Sequence, residues 1–302
     1  MIGQEGAKKI LAVAVYDHCK RLSTLAASGT SSGSDVDIAK SNALVIGPTG
    51  SGKTFLAEIL AKIVNVPFVT ADATKFTSAG YVGEDVEQIL QKLLEKAGGD
   101  IEKTERGIVY VDEVDKIRNS ASWGEHKDVN GGAVQQALLQ MLQGSVVNVP
   151  TQAGKKQGEV VQINTANILF ICGGSFDGIE KFVAERCQQS GIGFSSMVHS
   201  KDGRNKSSLI ASIEPEDLLK FGMIPEFVGR LPVIATLHEL DEAALMRILH
   251  EPKNALVKQQ QKLFMVDNIA LEFTDAALMQ IAKFALLRKT GARGLRDRKS
   301  VV

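Results

Sequence analysis

Eight residues, Gly47-Pro-Thr-Gly-Ser-Gly-Lys-Thr54, satisfy the pattern G-x-x-x-x-G-K-[ST] at every fixed position. In such a loop, successive backbone N–H groups can turn inward around a polyphosphate while the following helix N-terminus adds its positive end. Lys53 then reaches the β and γ phosphates, and the Thr54 hydroxyl ligates Mg²⁺. The expected nucleotide contacts are Gly47, Pro48, Thr49, Gly50, Ser51, Gly52, Lys53 and Thr54. A second constellation is Asp112-Glu113, closing the apolar run Ile108 to Val111, with Asp115 and Lys116 behind it. Acids at strand ends are commonly no more than solvated loop starts. Beside a phosphate loop, Asp112 can hold the Mg²⁺ shell and Glu113 can orient and deprotonate an attacking water.

Those residues need strands to carry them. Five short, near-continuous apolar runs recur: Ala43 to Ile46, Val66 to Thr70, Ile108 to Val111, Ile168 to Cys172 and Val233 to Thr236. Helical patterns such as Phe55 to Ile63 and Val86 to Ala97 separate them, which predicts a doubly wound α/β domain around a buried parallel sheet. Ahead of it, Ile10 to Tyr16 reads as part of an amphipathic helix. Ala26 to Ser34 is too poor in apolar side chains to pack and reads as a flexible surface loop. Beyond Leu240 the pattern turns helical: Asp241 to His250, Pro252 to Leu263, a brief strand Ile269 to Phe273, then Asp275 to Arg288 with Thr274 as N-cap. The division expected is an α/β domain over 1–236 and a smaller, mainly helical domain over 237–302.

Composition narrows the function classes. The 302 residues carry 35 Lys+Arg and 35 Asp+Glu, so no global basic field points to nucleic acid. Cys19, Cys172 and Cys187 stand far apart without a CxxC pair, which excludes a disulfide framework and fits a reducing compartment. No apolar run approaches the roughly 18 residues of a membrane span. Lys8-Lys9 before the run at Ile10 superficially copies a signal peptide, but Asp17, His18, Lys20 and Arg21 occupy the place of a cleavage site.

From Ile2 to Arg296 the chain resembles the AAA+ ATPases, and within them the ClpX family of hexameric unfoldases that feed the Clp peptidase. The carriers are Ile2-Gly-Gln-Glu5, Gly47 to Thr54, Gly80-Tyr-Val-Gly-Glu-Asp85, Asp112-Glu-Val-Asp-Lys116, Val134 to Leu139, Ile168 to Gly174, Ile224-Pro-Glu-Phe-Val-Gly-Arg230, Glu251 to Leu256 and Thr290-Gly-Ala-Arg-Gly-Leu-Arg296. The resemblance implies an ATP-hydrolysing homohexamer that uses ATP and Mg²⁺ and pulls unfolded or tagged proteins into a Clp-type peptidase ring. Neither nucleic acid nor membrane is an expected partner. Ile2 is implied at the nucleotide. Tyr81 and Val82 lie on a loop that grips polypeptide in the central channel, with a less faithful second pore loop near Asp128 to Gly132. Arg230 is implied as a finger reaching a neighbouring subunit's γ-phosphate, an effect worth roughly 10³ to 10⁵ in rate in other NTPases. Arg293 is implied as a sensor contacting nucleotide in cis, and Ile192-Gly193-Phe194 as the tripeptide that docks on the peptidase. A bacterial cytoplasm is implied, or alternatively a mitochondrial matrix or plastid stroma. An HslU-like unfoldase is disfavoured by Ile192-Gly193-Phe194, and a noncatalytic nucleotide-binding scaffold by the complete set of catalytic residues.

Four departures accompany the resemblance. Lys155-Lys156-Gln157 stands where the family's basic pore loop reads Arg-Lys-His, which puts tag preference in doubt. Gly173-Gly174-Ser175 offers only Ser175 as a polar sensor, a role left unassigned. The Cys-rich zinc domain that usually precedes the family's counterpart of Ile2 is not among these 302 residues. Asp297 to Val302 replaces the family's closing helices and matches a frame of a common sequencing adaptor, the expected mark of an incomplete gene. Without those helices, Leu256, Leu263, Leu278, Ile281 and Phe284 are expected to lose apolar cover worth on the order of 10 kcal/mol, so that the chain binds ATP weakly and assembles poorly.

Overall fold

The computed structural model describes residues 1–28, 38–76, 87–119, 129–150, 160–189, 206–288 and 291–296. Its strands are β1 (Ala43–Ile46), β2 (Phe68–Asp72), β3 (Ile108–Asp112), β4 (Val146–Pro150), β5 (Val160–Asn164), β6 (Leu169–Gly174) and β7 (Val233–Thr236). Five of them form one parallel sheet in the order β2-β3-β6-β1-β7. Strand register explains the continuous apolar runs. Leu44, Ile46, Val109, Val111, Phe170 and Cys172 face one core, while Ala43, Val45, Ile108, Tyr110, Leu169 and Ile171 face another. Both faces are covered, so every position must be apolar.

The helices are α1 (Glu5–Ser28), α2 (Lys53–Val64), α3 (Gln88–Lys96), α4 (Ile101–Glu105), α5 (Val129–Gln143), α6 (Glu180–Gln189), α7 (Lys206–Ala211), α8 (Pro215–Phe221), α9 (Pro225–Gly229), α10 (Glu242–His250), α11 (Leu256–Val266) and α12 (Asp275–Leu287). Helix α1 buries Ala7, Leu11 and Val15 at helical spacing with α2 against one sheet face. Ala26 to Ser28 belong to α1 rather than to a loop, and residues 29–34 of the expected loop lie outside the described residues. A third core, separate from the sheet, joins Leu240, Leu245, Leu249, Val257, Leu278, Ile281, Ala282, Ala285 and Leu295.

Two expected strands sit exactly where the apolar runs place them, at Ala43–Ile46 and Val233–Thr236. Strand β2 starts at Phe68, two residues later than expected. The Val66 N–H is consumed by the Ala61 carbonyl at the end of α2, and Pro67 has no N–H to give. The hairpin β4–β5 was not expected; Val147, Val149, Val161 and Ile163 alternate at period two, the only local signal for it. The expected strand Ile269 to Phe273 does not form. It carries no regular structure in a helical region, where no strand among the described residues lies beside it to pair with. Helix α11 begins at Leu256 rather than Pro252: Lys258 Nζ takes the Glu251 and Pro252 carbonyls at 3.3 and 3.0 Å, and Ala255 is extended. Thr274 caps α12 as expected, accepting the Ala277 N–H at 3.3 Å.

Of the five side chains expected to lose cover, Leu278 and Ile281 are buried in the third core and Leu256 is half-buried, whereas Leu263 and Phe284 are exposed. The two that pack lie on the α12 face that α10 covers within the same unit. No helix among the described residues is long and apolar enough to cross a membrane.

Candidate functional site

The phosphate loop bridges β1 and α2 at the carboxyl edge of the sheet, where ligands of open α/β sheets bind. Gly47 N–H donates to the Gly174 carbonyl of β6 at 3.2 Å, and Gly52 starts α2 from a left-handed backbone. The Ser51 hydroxyl closes the loop by donating to the Pro48 carbonyl at 2.8 Å. Lys53 is buried beneath it and donates to the Gly47 and Pro48 carbonyls at 2.6 and 3.1 Å. Burial lowers its pKa, opposed by Asp112, Asp115 and Asp177 and reinforced by Arg293. The ammonium therefore rests on two loop carbonyls within the field of three carboxylates, a cation held at the loop that an anionic ligand could draw out.

Asp112 at the end of β3 accepts the Thr54 hydroxyl on Oδ2 at 3.2 Å and the buried Tyr110 hydroxyl on Oδ1 at 3.3 Å. Burial and the Asp112 charge raise the phenol's pKa further, so Tyr110 remains a donor. Two hard oxygens, Thr54 Oγ1 and Asp112 Oδ2, thus share one hydrogen bond, the donor set that suits Mg²⁺.

Glu113 is exposed, with φ 59° and ψ 31°. A side chain in this left-handed region costs of order 1–3 kcal/mol and persists only where its surroundings hold it. Here Asp112 Oδ1 accepts the Glu113 N–H at 3.0 Å, and the Lys116 N–H donates to the Glu113 carbonyl. The turn that follows buries Val114, Asp115 and Ile117. Sequence reasoning noted Asp115 without giving it a role. Its setting between Val114 and Ile117, an acid in an apolar frame, was the available signal.

The C-terminal segment Gly291–Arg296 lies on the phosphate loop. The Ala292 N–H donates to the Gly50 carbonyl at 3.2 Å, and a Cβ at Gly291, whose φ is 53°, would lie 2.9 Å from that oxygen. Arg293 itself is exposed and near enough to act on Lys53. At the other end of the chain, a Cβ at Gly52 would fall 2.8 Å from Met1 Cε, and Ile2 beside it is half-buried. Gln4 binds both backbone groups of His238, giving Nε2–H to the carbonyl at 2.8 Å and accepting the N–H at 3.0 Å. The N-terminal segment therefore touches both the loop and the stretch joining the sheet to the third core.

Arg230 is not brought to this cluster. It is exposed after α9, where Asn42 Nδ2 bonds its carbonyl at 3.2 Å, and its guanidinium has no ion-pair partner among the described residues. Tyr81, Val82, Asp128, Lys155, Lys156, Gln157, Ile192, Gly193 and Phe194 lie outside the described residues.

Comparison with known families agrees with this geometry. Residues 38–234 match the AAA domain (Cdc48 subfamily), and residues 240–298 match the C-terminal, D2-small domain of ClpB protein. A parallel-sheet nucleotide domain followed by a small helical domain of this kind makes the chain a member of the AAA family, an ATPase of the Clp/Hsp100 type.

Proposed function

We propose that this chain is a ClpX-type unfoldase, which hydrolyses ATP to ADP and phosphate and uses the cycle to pull proteins through a homohexameric ring into a Clp-type peptidase. The observation that carries the reading is the bond from Ala292 N–H to the Gly50 carbonyl. It joins the small helical unit directly to the loop that changes occupancy with each turnover, so a change at the phosphates is passed to a domain that can move. The units proposed are 1–236 and 237–302.

In this reading Lys53 exchanges its two loop carbonyls for phosphate oxygens, and the N–H groups of Gly50 to Thr54 orient the chain of phosphates. Thr54 and Asp112 would hold Mg²⁺, which supplies charge neutralisation at the phosphates. Glu113 takes a proton from the attacking water, and its exposure leaves the carboxylate free to meet it. Arg230, an exposed guanidinium with no ion-pair partner among the described residues, is suited to a phosphate on a neighbouring subunit. Arg293 adds charge in cis. Grip on the polypeptide is assigned to Tyr81 and Val82 and peptidase docking to Ile192-Gly193-Phe194, both from the sequence motifs.

Phosphate release measured with and without an unfoldable protein tests this. Stimulation by substrate, lost with turnover but not with nucleotide affinity in Glu113→Gln, is the expected result. Wild-type turnover in Glu113→Gln removes its assignment. Tyr81→Ala should retain hydrolysis and lose unfolding, and equal loss of both would make Tyr81 structural.

A further inference from the structure

Asp115 is a buried carboxylate at the nucleotide site that the mechanism above leaves unused. It follows the left-handed residue Glu113 by two positions and is only 3% exposed. Its Oδ1 accepts the Ser175 N–H at 3.2 Å, its Oδ2 accepts the Ser175 hydroxyl at 3.0 Å, and the exposed Lys116 ammonium lies 3.1 Å away. Ser175 Oγ is also 2.9 Å from Asp177 Oδ2. One hydroxyl has one hydrogen and can serve only one of these carboxylates at a time. The backbone N–H of Ser175 is therefore the constant tether between the turn after β3 and the end of β6.

The Gly173-Gly174 pair makes room for this crossing. A Cβ built on Gly174 would stand 2.5 Å from Asp115 Oδ1 and 2.8 Å from the buried Phe176 ring, and one built on Gly173 would run into the Tyr110 hydroxyl, the group that bonds Asp112. Two glycines at the end of β6 thus form a notch in which both residues that brace the Asp112-Glu113 corner are seated. Asp112 Oδ1 accepts the N–H of the left-handed Glu113 itself, and Asp115 ties down the turn after it.

We propose that Asp115 is a positioning residue for ATP hydrolysis: tied to β6 through Ser175, it holds the strained turn that presents the Glu113 carboxylate, and Gly174 is required so that it can. The proposal rests on the role given to Glu113, so Glu113→Gln is measured in parallel on the same 302-residue chain. Undiminished hydrolysis in Glu113→Gln would remove that role whatever Asp115 does.

Asp115→Ala is expected to lower kcat by about 10- to 100-fold, the scale of a misplaced catalytic group, with nucleotide affinity and the thermal unfolding transition much less affected. Asp115→Asn retains an oxygen for the Ser175 N–H and should recover most of the loss. Ser175→Ala keeps the N–H and should lose less than Asp115→Ala. Gly174→Ala should also lower kcat; because its Cβ presses on the buried Phe176 ring as well as on Asp115, its unfolding transition is measured alongside to separate the two effects. A kcat within about twofold of wild type in Asp115→Ala overturns the proposal. So does a parallel fall of kcat, nucleotide affinity and unfolding transition that Asp115→Asn fails to rescue, since that pattern belongs to a purely structural residue. If Asp115→Ala does not fold, Asp115→Asn and Gly174→Ala decide: near-wild-type kcat in Gly174→Ala overturns it, and a kcat-specific loss there supports it.

Discussion

The sheet domain and the small helical unit bury their apolar residues in different ways. In the first, alternate strand residues feed two cores, one on each face, and large side chains such as Tyr110, Phe170, Phe176 and Phe227 are fully enclosed. In the second, three helices and the Gly291–Arg296 turn share one small core, and Leu263, Val266 and Leu287 are left 62%, 79% and 77% exposed. A sheet clad on both sides satisfies its own strands. Three helices around one core can each hide one stripe, so any apolar residue beyond that stripe remains on the surface. The strands are thus covered on both faces, although outer side chains of the sheet domain such as Tyr16, Phe55 and Ile63 remain exposed, whereas the small unit that touches the Gly47–Thr54 loop through Ala292 leaves apolar area on α11 and at the end of α12.

The comparison can be broken most strongly from the enclosed side. Phe170→Ala should cost about 3–5 kcal/mol, because the ring leaves a cavity between packed layers that relax only in part. Chemical denaturation would show it as a lowered midpoint of the transition that reports the sheet domain. A near-neutral result would mean that this core is far looser than its burial indicates.

A second test uses acid. His18 on α1 is buried, and neither ring nitrogen has a hydrogen-bond partner among the described residues. Burial, then the charges of Lys40 and Arg21, pushes its pKa down to about 4. Because the folded value lies below the unfolded one, the unfolded chain takes up the proton first. The stabilising contribution is whole above the ordinary histidine range and is lost as pH falls from about 6.5 toward 4, a change on the order of 3 kcal/mol. Denaturation midpoints should fall for wild type relative to His18→Gln as pH drops across that range, and parallel curves would refute the assignment.

Smaller effects sharpen the contrast on the helical side. Thr274→Ala removes the α12 cap and should cost about 1 kcal/mol, read as earlier fraying of that helix by hydrogen exchange. Smallest of all, Leu263→Ser, Val266→Ser and Leu287→Ser should each change stability by no more than about 0.5 kcal/mol while reducing self-association in sedimentation. Destabilisation well beyond that would show that these side chains are packed rather than displayed.

Much of this molecule is written in local spacing. The phosphate loop, the acid pair Asp112-Glu113, the cap at Thr274 and all five sheet strands were legible without coordinates, two of the strands to the residue. The reason is that turn chemistry, capping and burial period depend on neighbours within a few positions. Tertiary structure decided what depends on distant partners. The sheet order seats β1 between β6 and β7, the stretch Ile269 to Phe273 finds no strand to pair with among the described residues, and Gln4 meets His238 across 234 residues. Asp115 meets Ser175 across 60, so its place in the site is invisible along the chain. Which apolar face is covered and which carboxylate is tied down are properties of packing, and only the folded chain brings those partners together.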